Sequence, residues 1–573
     1  MPLLTCIDLF SGCGGFTLGM MRAGFHVLAA VDVDSIAISS LRTNLVEKRP
    51  PGLIPVSNAL VRDLTTFRPS QLAELIGTGS VDVIVGGPPC QGFSTARQVD
   101  GANHGARLKD DPRRRLYKEF LRYVDFFQPR VFVMENVLGI RTAAGGEYFT
   151  RMQKEARVLG AKAGRPGYRV HSQIEDAWQL GVPQKRRRQI IIGLRNDLPG
   201  YFPSELKPVP RAEAQPCLGE AIGDLPILRA GGGEHERDYD PARRAEHFRR
   251  FGNKARRYLN HVLETGLAQR LTNHVARPHS ERDLADFALL QEGENSATAI
   301  RDRGVVFQFP YKKDHFKDRY TRQNRRRPCS TIVAHLSKDG LMFIHPTQNR
   351  SITPREAARV QSFPDWFRFP EARTHSFRLI GNAVPPLIGE ALGLAVKAFL
   401  ESARILHVDA DHRTAPPSKI PQSGLSRPSV RSKASAYVPS SQTEAARELE
   451  LLAKLSYRAL HALTAREFLR GWHALLFLFP GLHPDNALDH GDIIETTSGS
   501  KVVLGGFEKL LSRHYVRSGW PVILDLIGRE AWRRYESGEI GDDDFYCVKA
   551  QRAGMGYPCE SELKTDDEGA AIQ

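Results

Sequence analysis

The stretch that most constrains this chain is Val81-Asp82-Val83-Ile84-Val85, followed at once by Gly86-Gly87-Pro88-Pro89-Cys90-Gln91-Gly92. A β-branched run of this kind reads as a buried strand, and paired glycines and prolines stop it abruptly. Cys90 therefore stands on a loop at a strand's end, with stiff proline backbone behind it and the freer Gly92 ahead. Stiff backbone fixes the direction of a side chain, and a mobile segment beyond it lets something close over it. A buried structural cysteine is the commoner use of the residue. Packing alone, however, does not demand Pro-Pro-Cys-Gln at the end of a strand.

The first residues supply a second constraint. Leu3 to Leu9 runs into Phe10-Ser11-Gly12-Cys13-Gly14-Gly15-Phe16, and Leu18, Met20 and Met21 begin a helix. A glycine-rich turn from strand to helix, with Asp32 ending the next strand, is a nucleotide-binding βαβ unit. The third glycine of the dinucleotide fingerprint would fall at position 17, which is Thr17, and this argues against a nicotinamide dinucleotide. What remains is a turn where backbone can approach a ligand, plus an acid about twenty positions on for ribose hydroxyls.

Three further segments carry chemistry. Residues 113–124 read as an amphipathic helix leading to a strand, Val131-Phe132-Val133-Met134, that ends at Glu135-Asn136-Val137. Glu135 thus falls at the carboxyl edge of the sheet, where Cys90 emerges and where parallel sheets bind ligands. Next, Gln184-Lys185-Arg186-Arg187-Arg188-Gln189 enters the apolar strand Ile190–Gly193. Strand alternation sends Arg186 and Arg188 to one side and Lys185 and Arg187 to the other. Last, Thr353 is placed to cap a helix with Pro354 at its first position and Glu356 completing a capping box. Leu379-Ile380-Gly381-Asn382-Ala383-Val384-Pro385-Pro386 then precedes an apolar helix from Leu387 to about Leu400.

Charge narrows the partner. Against 65 Asp and Glu stand 80 Lys and Arg, a net +15, which favours a polyanion such as nucleic acid. The seven cysteines are mostly far apart and lack zinc-site spacing, as in a reducing compartment. No uninterrupted apolar run approaches the roughly 20 residues of a membrane span. The N-terminus enters a strand without a leader pattern. The expectation is a soluble cytoplasmic protein with no membrane association and no metal.

Taken in order, these segments resemble the DNA cytosine-5 methyltransferases. The resemblance implies an α/β fold with a Rossmann-like S-adenosylmethionine-dependent methyltransferase sheet, a target-recognition domain and, outside the resemblance, a small α-rich C-terminal domain. It implies Cys90 as the nucleophile, Glu135 as the group that stabilises charge at cytosine N3, and Asn136 as the residue that orients Glu135 and the loop. It places Arg186 and Arg188 in the pocket to meet cytosine O2 and position Glu135. For the cofactor, S-adenosylmethionine, it implies backbone approach at Phe10, Gly12, Gly14, Gly15 and Pro88. Phe16 would pack on the adenine, Asp32 hold the ribose, Asp63 lie near the adenine amino group and Asn382 complete the pocket. The substrate is expected to be double-stranded DNA, methylated by a monomer, with a possible cognate restriction endonuclease acting on the same site. The tRNA cytosine-5 methyltransferases of the same family share the catalytic segments, and the long insert between Leu194 and Arg327 favours duplex DNA.

The expected division is a catalytic domain at 1–200 and 330–404 and a target-recognition domain at 201–329. A flexible linker rich in Pro, Ser and lone cations follows at 405–440, then an α-rich domain at 441–573. Basic clusters with interspersed aromatics in the insert suit phosphate contacts, which position rather than specify. Because the family pattern is complete by about Leu400, residues 1–408 alone are expected to fold, bind S-adenosylmethionine and methylate the same sequence as the full chain. Insoluble 1–408, or soluble 1–408 inactive on DNA that the full chain modifies, would show that the tail is part of the enzyme.

Overall fold

A computed structural model describes residues 3–89, 116–142, 146–160, 163–199, 202–309, 320–338 and 340–411, with short stretches between 463 and 534. Seven strands form the central sheet. They are β1 (Thr5–Leu9), β2 (His26–Asp32), β3 (Asn58–Val61), β4 (Val83–Gly86), β5 (Val131–Val137), β6 (Tyr168–Asp176) and β7 (Arg187–Arg195). Their order is β3-β2-β1-β4-β5-β7-β6. β1 to β5 pair in parallel, and β7 runs antiparallel to both β5 and β6. The middle strands are buried along their length, as a sheet covered on both faces requires, and so read as continuous apolar runs.

Helices α1 (Gly15–Arg22), α2 (Ser35–Arg42), α3 (Pro69–Ile76), α4 (Leu116–Phe127) and α5 (Glu147–Arg157) connect the strands. On α4, Phe120, Tyr123, Val124 and Phe127 recur at helical spacing and join Ile84 and Phe132 in one core. The order of strands reverses between β1 and β4. Loops leaving these two strands therefore diverge and open a crevice at the carboxyl edge, the expected ligand position in such a sheet. The Gly-rich turn follows β1, and Gly87-Pro88-Pro89 follows β4.

The insert contributes α6 (Leu218–Ile222), β8 (Gly233–Arg237), α7 (Pro241–Arg257), β9 (Leu271–Val275), α8 (Glu281–Leu289) and α9 (Ser296–Arg303). β8 and β9 form a two-stranded antiparallel sheet, and Phe287, Phe307, Tyr320 and Ile344 centre a small core. Three helices then close the fold: α10 (Pro354–Val360), α11 (Arg373–Asn382) and α12 (Pro386–Asp411). α12 continues beyond 404 because no proline or glycine interrupts residues 394–411. Residues 373–403 are long and apolar enough for a membrane span, but 72% of the apolar window is buried inside the protein and Ala383-Val384-Pro385 breaks the helix. They are core helices.

The packing of α12 on α1 depends on small residues. A Cβ on Gly19 would lie 2.5 Å from the Glu390 nitrogen, and one on Gly15 would lie 2.2 Å from the Val384 carbonyl oxygen. Nothing larger than hydrogen fits at either place. The late helix α12 thus covers the small-residue face of α1.

All seven residues of α10 are buried. Its start is the expected capping box: Thr353 Oγ1 accepts from Glu356 N at 3.2 Å, and Glu356 Oε2 accepts from Thr353 N at 2.7 Å. Arg350 adds two hydrogen bonds to the Glu356 carboxylate, at 2.9 and 2.7 Å. Burial alone would raise this carboxyl, but the Arg350 guanidinium overrides it and holds the group well below the usual range. His274 of β9 joins the cap. Its Nε2 lies 2.9 Å from the Pro226 carbonyl oxygen, which can only accept, so Nδ1 accepts from the Thr353 hydroxyl at 3.0 Å. Burial pushes His274 down to about 4, which keeps it neutral.

The chain divides into two compact units, residues 1–198 with 202–401 and residues 199–201 with 402–573. The insert belongs to the first unit. In the second, the described residues include an antiparallel pair of strands, β10 (Ile493–Glu495) and β11 (Lys501–Val503). They also include a cap between Thr464 and Glu467 and a buried Arg534 that donates to the Leu463 carbonyl at 2.8 Å. Ser441, which with Glu444 has the spacing of a capping box, and the acidic run Asp542-Asp543-Asp544 lie outside the described residues.

Glu356→Gln should be strongly destabilising, by about 3–5 kcal/mol, because it leaves the Arg350 charge buried beside a neutral partner. Denaturant unfolding of the full chain measures this. The wild-type contribution is complete above the unfolded carboxyl value near 4.5 and is lost as the pH falls below it.

Candidate active site

Beyond β1 the backbone takes left-handed conformations at Phe10 (φ 58°), Gly12 (φ 55°) and Gly14 (φ 93°), which turn the chain into α1. The turn is held from the next strand. Gly12 N donates to Asp32 Oδ2 at 2.9 Å, and Asp34 N donates to Asp32 Oδ1 at 2.9 Å. Burial raises the Asp32 carboxyl, and these two backbone donors oppose the rise. Each carboxylate oxygen accepts two hydrogen bonds, so Asp32 retains capacity for two hydroxyl donors. Among the described residues the Ser11 hydroxyl is buried without a partner, and a Cβ on Gly12 would meet open space. These features fit a ligand seated on the turn with paired hydroxyls at Asp32.

Thr17, at the position a dinucleotide site would give to glycine, points its hydroxyl inward to Asp8 Oδ2 at 2.6 Å. Burial pushes Asp8 up to about 7. Phe16 is buried with its ring edge against Gly389. Val33, exposed and apolar between Asp32 and Asp34, borders the turn and was missed by sequence reasoning, although its position beside Asp32 was a signal. So was Asp34, which caps α2 and pairs with Arg378 of α11. Its place before Ser35-Ile36-Ala37 marked the cap, while nothing marked Arg378.

Two expected cofactor residues are more peripheral. Asp63 is exposed, and its Oδ1 accepts from Thr65 N at 2.9 Å and Thr65 Oγ1 at 2.8 Å, closing the turn after β3. Asn382 is exposed at the end of α11. The preceding Gly381 is pressed so closely on the backbone of Val333 and Ala334 that a Cβ would lie 2.3 Å away.

At the neighbouring strand ends the fold brings three sequence segments together. A Cβ on Gly86 would lie 2.2 Å from the Leu9 carbonyl oxygen, so β4 and β1 abut where the crevice opens. Asn136 Nδ2 donates to the Pro88 carbonyl at 3.4 Å, and Asn136 Oδ1 accepts from Val137 N at 2.9 Å. Glu135 is buried to 8% exposure beside Gly87, and Arg188 Nε forms an ion pair with Glu135 Oε1 at 2.8 Å. Register explains this pair. Arg188 stands opposite Val137, two residues from Glu135 on the same face, and reaches it diagonally.

Arg186 does something different. It is buried, and its two terminal nitrogens donate to the carbonyls of Ile332 at 2.9 Å and Ala383 at 3.0 Å. Lys185 and Arg187 are exposed. Gln184, buried beside them, accepts from Ile332 N at 3.1 Å and donates to Gln361 Oε1 at 2.5 Å. Arg188 thus faces Glu135, while Gln184 and Arg186 lock this loop to the late helices.

Cys90 and the rest of 90–115 lie outside the described residues. The described thiols are all suppressed by burial, Cys13 to about 12 and Cys217 to about 11, with Cys6 and Cys329 also raised. None of these four supplies a thiolate near neutral pH. Among the described residues no group of three His, Cys, Asp or Glu is arranged to hold a metal.

Residues 4–398 match the family of C-5 cytosine-specific DNA methylases. The Type II methyltransferase M.DdeI of Desulfomicrobium norvegicum is 34% identical over 419 residues, 70% of this chain and 91% of that protein. M1.HphI of Haemophilus parahaemolyticus is 33% identical over 395 residues, 69% of this chain and 86% of its own length. A solved prophage-encoded protein of E. coli, named as a candidate DNA modification methyltransferase, covers 70% of this chain and 99% of its own, with 28% identity and a TM-score of 0.51. The family match stops just before the boundary between the two units at 401. With the reversed strand order, the glycine turn held by Asp32 and the Glu135–Arg188 pair at one edge, the chain belongs to the C-5 cytosine-specific DNA methylase family and is a DNA cytosine-5 methyltransferase.

Proposed function

We propose that this enzyme transfers the methyl group of S-adenosylmethionine to carbon 5 of a cytosine flipped out of duplex DNA, through a covalent adduct on Cys90. The observation that carries this reading is the Glu135–Arg188 pair beside the Pro88 carbonyl, which Asn136 ties down one residue short of Pro89-Cys90.

Carbon 5 of cytosine is a weak nucleophile. Addition of the Cys90 thiolate to carbon 6 turns the ring into an enamine whose carbon 5 is electron-rich. Glu135 holds a proton at ring N3, so negative charge does not accumulate there during the addition. Arg188 orients Glu135 and presents positive charge to the developing charge on the base, a pre-organised electrostatic role. Arg186 acts at one remove, fixing the two carbonyls that shape the pocket wall. S-adenosylmethionine, when bound, supplies the electrophilic methyl group. Loss of the carbon 5 proton to water and departure of the Cys90 sulfur then restore the aromatic ring. A stacked base offers neither face to such attack, so the cytosine leaves the helix.

For the cofactor, Asp32 would hold the ribose hydroxyls, and Phe10, Gly12, Gly14, Gly15 and Pro88 would line the turn. Phe16 and Val33 would flank the adenine, Asp63 would lie near its amino group, and Asn382 would complete the pocket. Residues 201–329 would recognise the target. That M.DdeI and M1.HphI are named Type II methyltransferases supports a restriction-modification role for this chain, as a cytoplasmic monomer sharing its site with a cognate endonuclease.

Cys90→Ser should abolish methyl transfer while leaving cofactor binding nearly intact, and the wild type should trap covalently on 5-fluorocytosine DNA, which has no carbon 5 proton to lose. Full trapping by the serine variant would overturn the assignment. Asp32→Ala should weaken cofactor binding by roughly 1.5–3 kcal/mol, the worth of a charge-assisted contact, with little change in DNA affinity. Calorimetry showing unchanged cofactor affinity would remove Asp32 from the site.

A further inference from the structure

A second concave site lies in the insert, away from the Glu135 edge. Along α7, Arg243, Glu246, His247, Arg250 and Phe251 recur at the spacing of one helical face. Gly252 ends that face, its φ of 68° and ψ of −151° breaking the helix. Together with Gly219 of α6, Gly223 at its end, Arg325 and Thr347, these residues line a hollow of about 90 Å³. The glycines make α7 fit. A Cβ on Gly219 would lie 2.5 Å from the Phe251 ring, and one on Gly223 would lie 2.6 Å from the His247 imidazole.

The charges of this wall are unevenly compensated. Nearby arginines have carboxylate partners: Arg244 with Asp224 at 3.3 Å, Arg257 with Glu213 at 3.2 Å and Arg325 with Glu292 at 3.3 Å. Among the described residues Arg243 and Arg250 have no such partner. Arg243 donates from Nε to the Leu225 carbonyl at 2.5 Å, which anchors it by one edge. Arg250 is exposed, with its guanidinium 5.8 Å from the Phe251 ring centroid. Burial lowers His247, so it adds no charge of its own, and among the described residues Glu246 is the one carboxylate in the lining. A hollow of this size with two uncompensated guanidinium groups and a third nearby selects a small oxyanion.

Its position indicates which oxyanion. The Arg325 carbonyl accepts from Gly219 N at 2.8 Å, and seven residues later the Ile332 carbonyl accepts from Arg186. A chain rising about 3.4 Å per residue covers at most about 24 Å over that span. At about 3.4 Å of helix axis per phosphate in each strand, the hollow lies within about seven base pairs of the pocket wall.

We propose that the hollow formed by Arg243, Arg250 and Arg325 takes a backbone phosphate of the DNA flanking the methylated cytosine. It would fix the register of the duplex without touching the reacting base. This rests on the reading of the chain as an enzyme acting on duplex DNA.

The test is the salt dependence of binding of the full-length protein to a labelled mixed-sequence duplex. Arg250→Gln should make the slope of log K against log salt shallower by about 0.9, the share of one phosphate, and adding Arg243→Gln should lower affinity further without a second step of that size in the slope. Arg165→Gln, exposed beside the Asp125 carbonyl at the opposite edge of the sheet, should leave the slope unchanged. On unmethylated genomic DNA, Arg250→Gln should raise KM for DNA at constant kcat. Because Arg250 is exposed, the single variant decides the matter even if Arg243→Gln impairs folding. An unchanged slope for Arg250→Gln, or a fall in kcat at constant KM, overturns the phosphate site. A wild-type protein that binds DNA with the expected slope but methylates none would instead overturn the enzymatic reading.

Discussion

The fold depends on a charged side chain that water does not reach. Arg359, on the wholly buried α10, donates to Asp365 at 2.8 and 2.6 Å, to Asp224 at 2.5 Å and to the Ala221 carbonyl at 3.0 Å. Taking ions out of water costs several kcal/mol each, and their attraction repays this only when every donor is matched. Here the matches come from two parts of the sequence, because Asp224 follows α6 in the insert and Asp365 follows α10. The neighbouring Arg355 repeats the arrangement, donating to the Thr272 carbonyl of β9 at 2.9 Å and to the Phe367 carbonyl at 2.9 Å. The insert and the sheet domain therefore form one compact unit. Neither can move away without stranding a buried charge.

That rigidity bears on the proposed mechanism. Gln184 and Arg186 bind the end of α10, the start of the 332–334 segment and the end of α11, so the strand that carries Arg188 is referenced to the same buried hub. The Glu135–Arg188 pair is then held by register and by this hub rather than by either side chain's own preference. Pre-organisation of this kind is what lets a charge at an active edge act without reorganising during the reaction.

The sequence carried local features well and distant ones poorly. Thr353, Pro354 and Glu356 announce their helix within four residues, and the structure forms the same box. The strands around Glu135 and Arg188 were legible because alternation has a fixed period and the register keeps Arg188 on the face of Glu135. Arg186 shared that periodicity, yet its partners are backbone carbonyls 146 and 197 residues away, which no local pattern specifies. The same holds for Arg378, whose partner Asp34 lies 344 residues earlier. Asp63 matched a motif, while its carboxylate closes its own turn. The extent of α12 was misjudged because helix propensity continues after the apolar stripe ends.

The contact of Gly19 with Gly389 also has a consequence in time. The glycine face of α1 meets a helix made some 370 residues later in the chain. At synthesis rates of about 5–20 residues per second, roughly 20–70 seconds separate the two halves of this one contact. A nascent chain therefore keeps the Gly15–Gly19 face of α1 without its partner helix until α12 has been made.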